Sequence, residues 1–291
     1  MLACDFEIVG VANDGYETLD ACQRLDPDVI VLDVAMPGLD GFQTARELKR
    51  SGSRAAIVFL TMYESEEYVG EGFRAGGRGY VVKTRAYEDL ARAIKRVLAG
   101  QLVAPSIKSL LTIAGEGGGH AARYFSDVAT FVQEMGDCLH LALRRGDAVA
   151  VATQSPIRTG LARHLQGLGW NVQESGTHGR YRAIDSFDVL SSILRDGHID
   201  VDRFTEVIEK LDRHRVETAE GPTPRLVIVG ELSVPLFLSG NPTAAMEAER
   251  VWNQLTRALP FFTVCCYPAA FFDDRSPETF SAVCAEHWAI A

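Results

Sequence analysis

No stretch of this 291-residue chain approaches the ~20 uninterrupted apolar residues that cross a bilayer. The opening MLACDFEIVG lacks the basic start and long apolar block of a secretion signal. Cysteine is sparse and unpatterned. Cys4, Cys22, Cys138, Cys265, Cys266 and Cys284 form no CxxC pair and no metal-type spacing, and read as thiols buried in a reducing cytosol. The histidines (His120, His140, His164, His178, His198, His214 and His287) are scattered without metal-like pairing and read mostly as surface residues. Positive charge is also short: 29 Lys and Arg against 39 Asp and Glu leave a net charge of −10. Binding along a phosphate backbone needs clustered Lys and Arg, so nucleic acid is not expected as a partner. Together these absences predict a cytoplasmic protein with neither membrane nor nucleic acid as its partner. No internal repeat stands out in either half.

What is present is an α/β alternation long enough for two cores. FEIVGV (6–11) reads as a strand and residues 15–25 as a helix. DVIVLD (28–33) is a second, fully apolar strand ending on a carboxylate, followed by the turn AMPGLDG and a helix closed by Gly52. AAIVFLT (55–61) and GYVVK (79–83) are further strands, and SEEYVGEGFRAG and YEDLARAIKRVLAG further helices. Pro105 and the glycine-rich run AGEGGGHAA (114–122) mark a boundary, giving domains at 1–104 and 120–291 joined by a linker at 105–119. The second half is again α/β. DAVAVAT, YRAID, RLVIVGE and FFTVCCYP read as strands; SFDVLSSILRDG, VDRFTEVIEKLDRHRVE, PTAAMEAERVWNQLTRAL and the closing PETFSAVCAEHW read as helices.

In parallel sheets ligand chemistry gathers at the carboxyl ends of the strands, which singles out Asp33, Thr61 and Lys83. A phosphoryl-transfer switch needs a carboxylate nucleophile, a hydroxyl and a cation for the phosphoryl oxygens, and usually a metal. An aspartate at one strand end is often only a cap. Three such residues at successive strand ends are hard to explain in that way.

These residues, within DVIVLDVAMPGLDGF, VFLTMY and RAGGRGYVVKT, make residues 6–104 resemble a response-regulator receiver domain of the flavodoxin-like fold, the kind found ahead of helix-turn-helix outputs. The resemblance implies that Asp33 is the phospho-acceptor, Thr61 the switch hydroxyl, Lys83 the phosphate-binding lysine and Tyr80 the aromatic that swings inward on activation. A half-buried strand tyrosine is an equal reading of Tyr80. It also implies a sensor histidine kinase as partner and Mg²⁺ as cofactor. One departure counts against the metal. Receivers begin with a strand ending in an acidic pair that holds Mg²⁺, and here only five residues precede FEIVGV, with Asp5 at the wrong end of the next strand. Asp33 would ligate the metal only with that pair restored. The missing strand would lie between FEIVGV and DVIVLD, so an incomplete parallel sheet is expected. Either the reading frame is truncated or the domain is degenerate, and the intact remainder of the pattern favours truncation. An unpaired sheet edge also favours a homo-oligomer.

In the second half, DAVAVATQSPIRTGL sits where RecA-type ATPases place a phosphate loop, but TQSPIRTG has neither the glycine spacing nor GK[ST]. From about His120 to Phe272 the chain resembles the MEDS sensory domain, a relative of clock-protein RecA folds without that loop. LRRGDAVAVAT, IVGELSVPLFLSGNPTAAMEAERVWNQL and PFFTVCCYP carry the resemblance, which implies sensing of an undefined small-molecule ligand. Strand ends nominate Thr153, Gln154, Ser155, Arg158, Asp185 and Glu231 as ligand contacts, and the family pattern adds Trp252, Asn253 and Tyr267. Against these stand plain readings: Trp252 as core, Asn253 as a buried hydrogen-bonding residue, Glu231 as an arginine's ion-pair partner. The expectation is a non-catalytic two-component signalling protein, a receiver coupled to a sensory domain with output through protein contacts. The alternative is a degenerate RecA- or KaiC-like ATPase or kinase.

Overall fold

A strand persists only where neighbours take up its backbone hydrogen bonds, and this decides which of the expected strands form. The computed structural model describes residues 6–63, 65–113, 118–172, 179–218, 224–259, 261–272, 279, 282–283, 285–287 and 289–290. Asp5, Cys4 and Cys284 lie outside the described residues, as does half of the expected closing helix at 277–288. The chain divides into two units, Met1–Ile113 and Ala114–Ala291.

In the first unit the elements run α1 (Gly15–Leu25), β1 (Val29–Leu32), α2 (Gly41–Arg50), β2 (Ala56–Thr61), α3 (Glu66–Ala75), β3 (Gly79–Val82), α4 (Ala86–Leu98), β4 (Leu102–Val103) and α5 (Ile107–Ile113). Strands β1 to β4 lie in sequence order and all pair in parallel, with Leu32 beside Phe59 and Thr61 beside Val82. This is the doubly wound pattern expected of short strands joined through helices. Helix α1 starts where the Asp14 carboxylate accepts the Glu17 N–H at 2.8 Å, and α2 starts with a reciprocal capping box between Asp40 and Gln43. One core packs Leu32, Ala45, Leu48, Phe59, Val69 and Tyr80; another, on Val58 and Val81, packs Leu90, Ile94 and Val97 of α4.

The expected strand at 6–11 is not formed. Among the described residues no strand lies between it and β1, so its amides have no ladder to join. Ile8, Val9 and Val11 are 64%, 48% and 84% exposed. A cavity of about 600 Å³ lined by Phe6, Val9, Ile30, Val31, Asp33 and Lys83 separates this segment from β1. Part of the stretch expected as linker is also ordered. Residues 107–113 form α5, and Gly119 opens a strand; 114–117 lie outside the described residues.

The second unit contains β5 (Gly119–Phe125), α6 (Val128–Arg144), β6 (Ala148–Thr153), α7 (Ser155–Gly167), β7 (Tyr181–Asp185), α8 (Ser186–Ile193), β8 (Leu194–Arg195), β9 (His198–Ile199), α9 (Val201–Thr218), β10 (Leu226–Gly230), α10 (Ser233–Leu238), α11 (Pro242–Ala258), β11 (Phe261–Pro268) and β12 (Ala289–Ile290). Its sheet runs β12-β5-β11-β10-β6-β7 with every pair parallel. Buried on both faces, β6, β10 and β11 read as continuous apolar runs. Strand β5 escaped the sequence reading because HAARYF carries no apolar periodicity; it is held by β11 on one side and β12 on the other. The helix expected to reach Gly197 stops at Ile193. Asp196 and Gly197, with φ of 48° and 82°, instead turn a two-residue hairpin between β8 and β9.

Candidate functional site: an aspartate–lysine pair and two polar clusters

Asp33 follows β1, Thr61 ends β2 and Lys83 follows β3, three adjacent parallel strands. The Lys83 ammonium lies 2.5 Å from Asp33 Oδ2, while Asp33 Oδ1 accepts the Ala35 N–H at 3.1 Å. Both side chains keep roughly a third of their surface in solvent, 31% for Asp33 and 38% for Lys83. An exposed pair of this kind stabilises a fold by only ~0.2–1 kcal/mol, so stability is a weak reason for it. The Thr61 hydroxyl is buried and accepts the Tyr63 N–H at 3.2 Å. Tyr80 is fully buried rather than half-buried. Its hydroxyl donates to the Tyr63 carbonyl at 2.8 Å, tying the turn after β2 to β3, and burial pushes its pKa up. Among the described residues no set of three carboxylate, imidazole or thiol ligands gathers at Asp33. With one Asp33 oxygen on Lys83 and the other on a backbone amide, the described residues do not assemble a Mg²⁺ site.

The ligand contacts expected in the second unit separate into two groups. At the carboxyl ends of β6, β7 and β10, Arg158 donates to the Thr153 carbonyl and to Asp185 Oδ2, both at 2.8 Å. That arginine and the Phe187 N–H hold the Asp185 carboxyl below its ordinary value. Glu231 has no arginine partner among the described residues. Its Oε2 accepts the Gln154 N–H at 3.1 Å, and burial raises its carboxyl. Ser155 and Thr159 hydroxyls lie 3.5 Å apart on the first turn of α7, whose first turn also carries Pro156. Thr153 Oγ1 is buried and makes no hydrogen bond among the described residues.

Asn253 and Tyr267 belong elsewhere, around a carboxylate that the sequence reading passed over. Trp252 is core, packed edge-on to Phe204 at 4.9 Å. On the same helix Glu249 is fully buried, its Oε1 accepting from the Tyr267 and Ser233 hydroxyls. Asn253 donates to Glu286 Oε2 at 2.9 Å and turns its Oδ1 to His120 Nδ1. His120 and His287, expected at the surface, are 1% and 3% exposed with rings 4.2 Å apart. The available signal was helical spacing. Glu249 follows Ala245 by four residues and precedes Trp252 by three, which puts a charge on an apolar stripe.

The geometry thus defines a receiver-type α/β unit with a strand-end Asp–Lys pair and a second parallel α/β unit with buried polar clusters. Residues 3–95 match the response regulator receiver domain. The MEDS family, described as MEthanogen/methylotroph, DcmR Sensory domain, matches residues 119–287, more than half of the chain, and the chain belongs to that family. Over 99 residues it is 36% identical to the uncharacterized transcriptional regulatory protein YxjL of Bacillus subtilis (strain 168), a match taking in 34% of this chain and 45% of that one. The response regulator GacA of Pseudomonas aeruginosa is 34% identical over 108 residues, 37% of this chain and 50% of that one. A two-component response regulator of the LuxR family from Aurantimonas sp. SI85-9A1 is 31% identical with a TM-score of 0.34, covering 38% of this chain and 77% of that chain. The chain spans about half the length of the relatives it matches. Among the described residues no helix is long and apolar enough to cross a membrane.

Proposed function

We propose that this chain is a two-component signalling protein of response-regulator type, with Asp33 as phospho-acceptor in the receiver unit and a small-molecule ligand in the sensory unit. The observation that carries the reading is the Lys83–Asp33 ion pair at the carboxyl ends of neighbouring parallel strands. A carboxylate placed there can attack a phosphoryl group, and the lysine beside it can then offset the added charge. Thr61, closing the strand between them, supplies the hydroxyl. A buried Tyr80 already bonded to the turn after β2 is the element that would respond. The partners of this reading are a sensor histidine kinase and a second copy of the chain, with output through protein contacts in the cytoplasm. The strand ends carrying Thr153, Gln154, Asp185 and Glu231 would offer a ligand a few polar anchors.

The test is phosphotransfer from phosphorylated histidine-kinase domains to the full chain. An alkali-labile label that disappears in Asp33→Asn is expected. A label that persists in Asp33→Asn, or none after prolonged exposure to a panel of such domains, overturns the assignment.

A further inference from the structure

The second unit holds four side chains that the receiver reading does not use and that spacing along the sequence did not connect. His120 comes from β5, Glu249 from α11, Cys265 from β11, and His287 from the segment before β12. All four are buried, and one ligand atom from each falls within a group spanning 4.8 Å. His120 Nε2 lies 3.2 Å from Cys265 Sγ and 3.1 Å from Glu249 Oε2, and His287 Nε2 lies 3.3 Å from that same oxygen.

Where the protons sit decides what this arrangement is. His120 Nδ1 faces the Glu286 carbonyl at 3.0 Å and Asn253 Oδ1 at 3.3 Å; His287 Nδ1 faces the Val283 carbonyl at 2.7 Å. Carbonyl oxygens only accept, so each imidazole has an N–H at Nδ1, and in the neutral ring the Nε2 lone pair points inward. Glu249 Oε1 is taken up by Ser233 and Tyr267, leaving Oε2 facing those two lone pairs. Among the described residues neither Glu249 Oε2 nor His287 Nε2 makes a hydrogen bond. Two ring nitrogens and a carboxylate oxygen therefore converge with only the Cys265 S–H, 3.2 Å from His120 Nε2, to donate among them, and a cation in place of that proton removes the repulsion.

We propose that His120, Glu249, Cys265 and His287 form a closed, tetrahedral site for a divalent transition-metal ion of zinc type. Zinc–nitrogen and zinc–oxygen bonds of ~2.0–2.1 Å and a zinc–sulfur bond of ~2.3 Å place tetrahedral ligands ~3.3–3.6 Å apart. The separations of 3.1, 3.2 and 3.3 Å come within a few tenths of an ångström of those edges. A set of two imidazoles, one sulfur and one carboxylate suits zinc and its borderline neighbours and disfavours Mg²⁺ or Ca²⁺, which take all-oxygen shells. On binding, the Cys265 S–H loses its proton to solvent and a sulfur–metal bond replaces it. The dication, one thiolate and one carboxylate then sum to zero charge, which suits a buried site. The Nδ1–H bonds to carbonyls and the Ser233 and Tyr267 bonds to Glu249 are the outer contacts that orient such ligands. With four protein ligands, the site is a structural clip rather than a catalytic centre: it ties the segment before β12 to the helix and the two strands. The inference stands on the second unit alone, independent of Asp33.

Chelator-stripped full-length chain titrated with Co²⁺ tests it directly. One equivalent per chain with a thiolate-to-cobalt charge-transfer band is expected, unchanged in Cys266→Ser and lost in Cys265→Ser. Cys266 is the control because its sulfur sits 3.6 Å from the Val264 carbonyl, outside the cluster. Should either variant fail to fold, the zinc-edge absorption spectrum of the zinc-loaded wild-type chain reads the site without substitution. One sulfur and three nitrogen or oxygen scatterers are expected. No bound metal, a cobalt spectrum without the thiolate band, a band surviving in Cys265→Ser, or a shell free of sulfur would each overturn the proposal.

Discussion

Replacing Gly41 by alanine would set a methyl carbon 2.2 Å from the Asp33 carbonyl oxygen, 2.8 Å from Val34 Cα and 3.0 Å from the Asp33 carbonyl carbon. These are backbone atoms and cannot rotate aside. Gly41 is the first residue of α2, and its N–H donates to the Val34 carbonyl at 2.9 Å. Relief therefore requires the helix start and the segment carrying Asp33 to move apart together. Overpacking of this kind costs ~1–3 kcal/mol, and disturbing the Asp40 capping box adds ~1 kcal/mol. A loss of about 3 kcal/mol is expected for the first unit. Gly52→Ala is the reference: its φ is +81° with nothing within 4 Å, so only backbone strain of ~1–2 kcal/mol applies. All three tryptophans, Trp170, Trp252 and Trp288, lie in the second unit. Urea unfolding followed by far-ultraviolet circular dichroism should therefore show the Gly41→Ala loss in a transition that tryptophan fluorescence does not report. A Gly41→Ala chain as stable as Gly52→Ala would refute the reasoning, because the close approach would then be relieved at no cost.

Lys83→Met should lower stability by less than ~1 kcal/mol, since the pair with Asp33 is partly exposed; a larger loss in thermal melts would mean that the pair is structural. Labelling of this 291-residue chain by acetyl phosphate should be slight and indifferent to Mg²⁺, because no metal-ligand set gathers at Asp33 among the described residues. Near-complete, Asp33-dependent modification on phosphate-affinity gels would contradict that. Calorimetry of the full chain with ATP and Mg²⁺ should show no binding, as Arg158 is already committed to Thr153 and Asp185. A micromolar Kd abolished by Arg158→Ala would instead favour the nucleotide-binding alternative. Thr153→Val should be neutral or stabilising by up to ~1 kcal/mol in chemical denaturation, since the buried hydroxyl makes no hydrogen bond among the described residues. A loss above 1 kcal/mol would reveal a partner for it.

The strand-end positions of Asp33, Thr61 and Lys83 were legible because they depend only on local pattern. A short β-rich run followed by a turn and an amphipathic helix ends its strand at a definable residue, and successive parallel strands bring those ends to one side of the sheet. The absent phosphate loop was equally legible, since its chemistry lies in contiguous residues. Pairing is not local. FEIVGV has the composition of a strand, yet with no strand between it and β1 among the described residues it stays unpaired, while the less apolar HAARYF becomes one because β11 and β12 flank it. Residues 120, 249, 265 and 287 share no motif spacing. Only the register of β5 against β11, which sets Ala122 beside Cys265, and the seating of α11 on that sheet bring them together. Arg158 likewise reads in the sequence as a lone cation beside a vestigial loop, and the end of β7 is what supplies Asp185 to bind it. Short-range periodicity marks most helices and the fully apolar strands, while pairing decides which of the remaining segments become strands. Long-range pairing fixes which side chains meet, because a one-residue slip in register would turn each of them to the opposite face of the sheet.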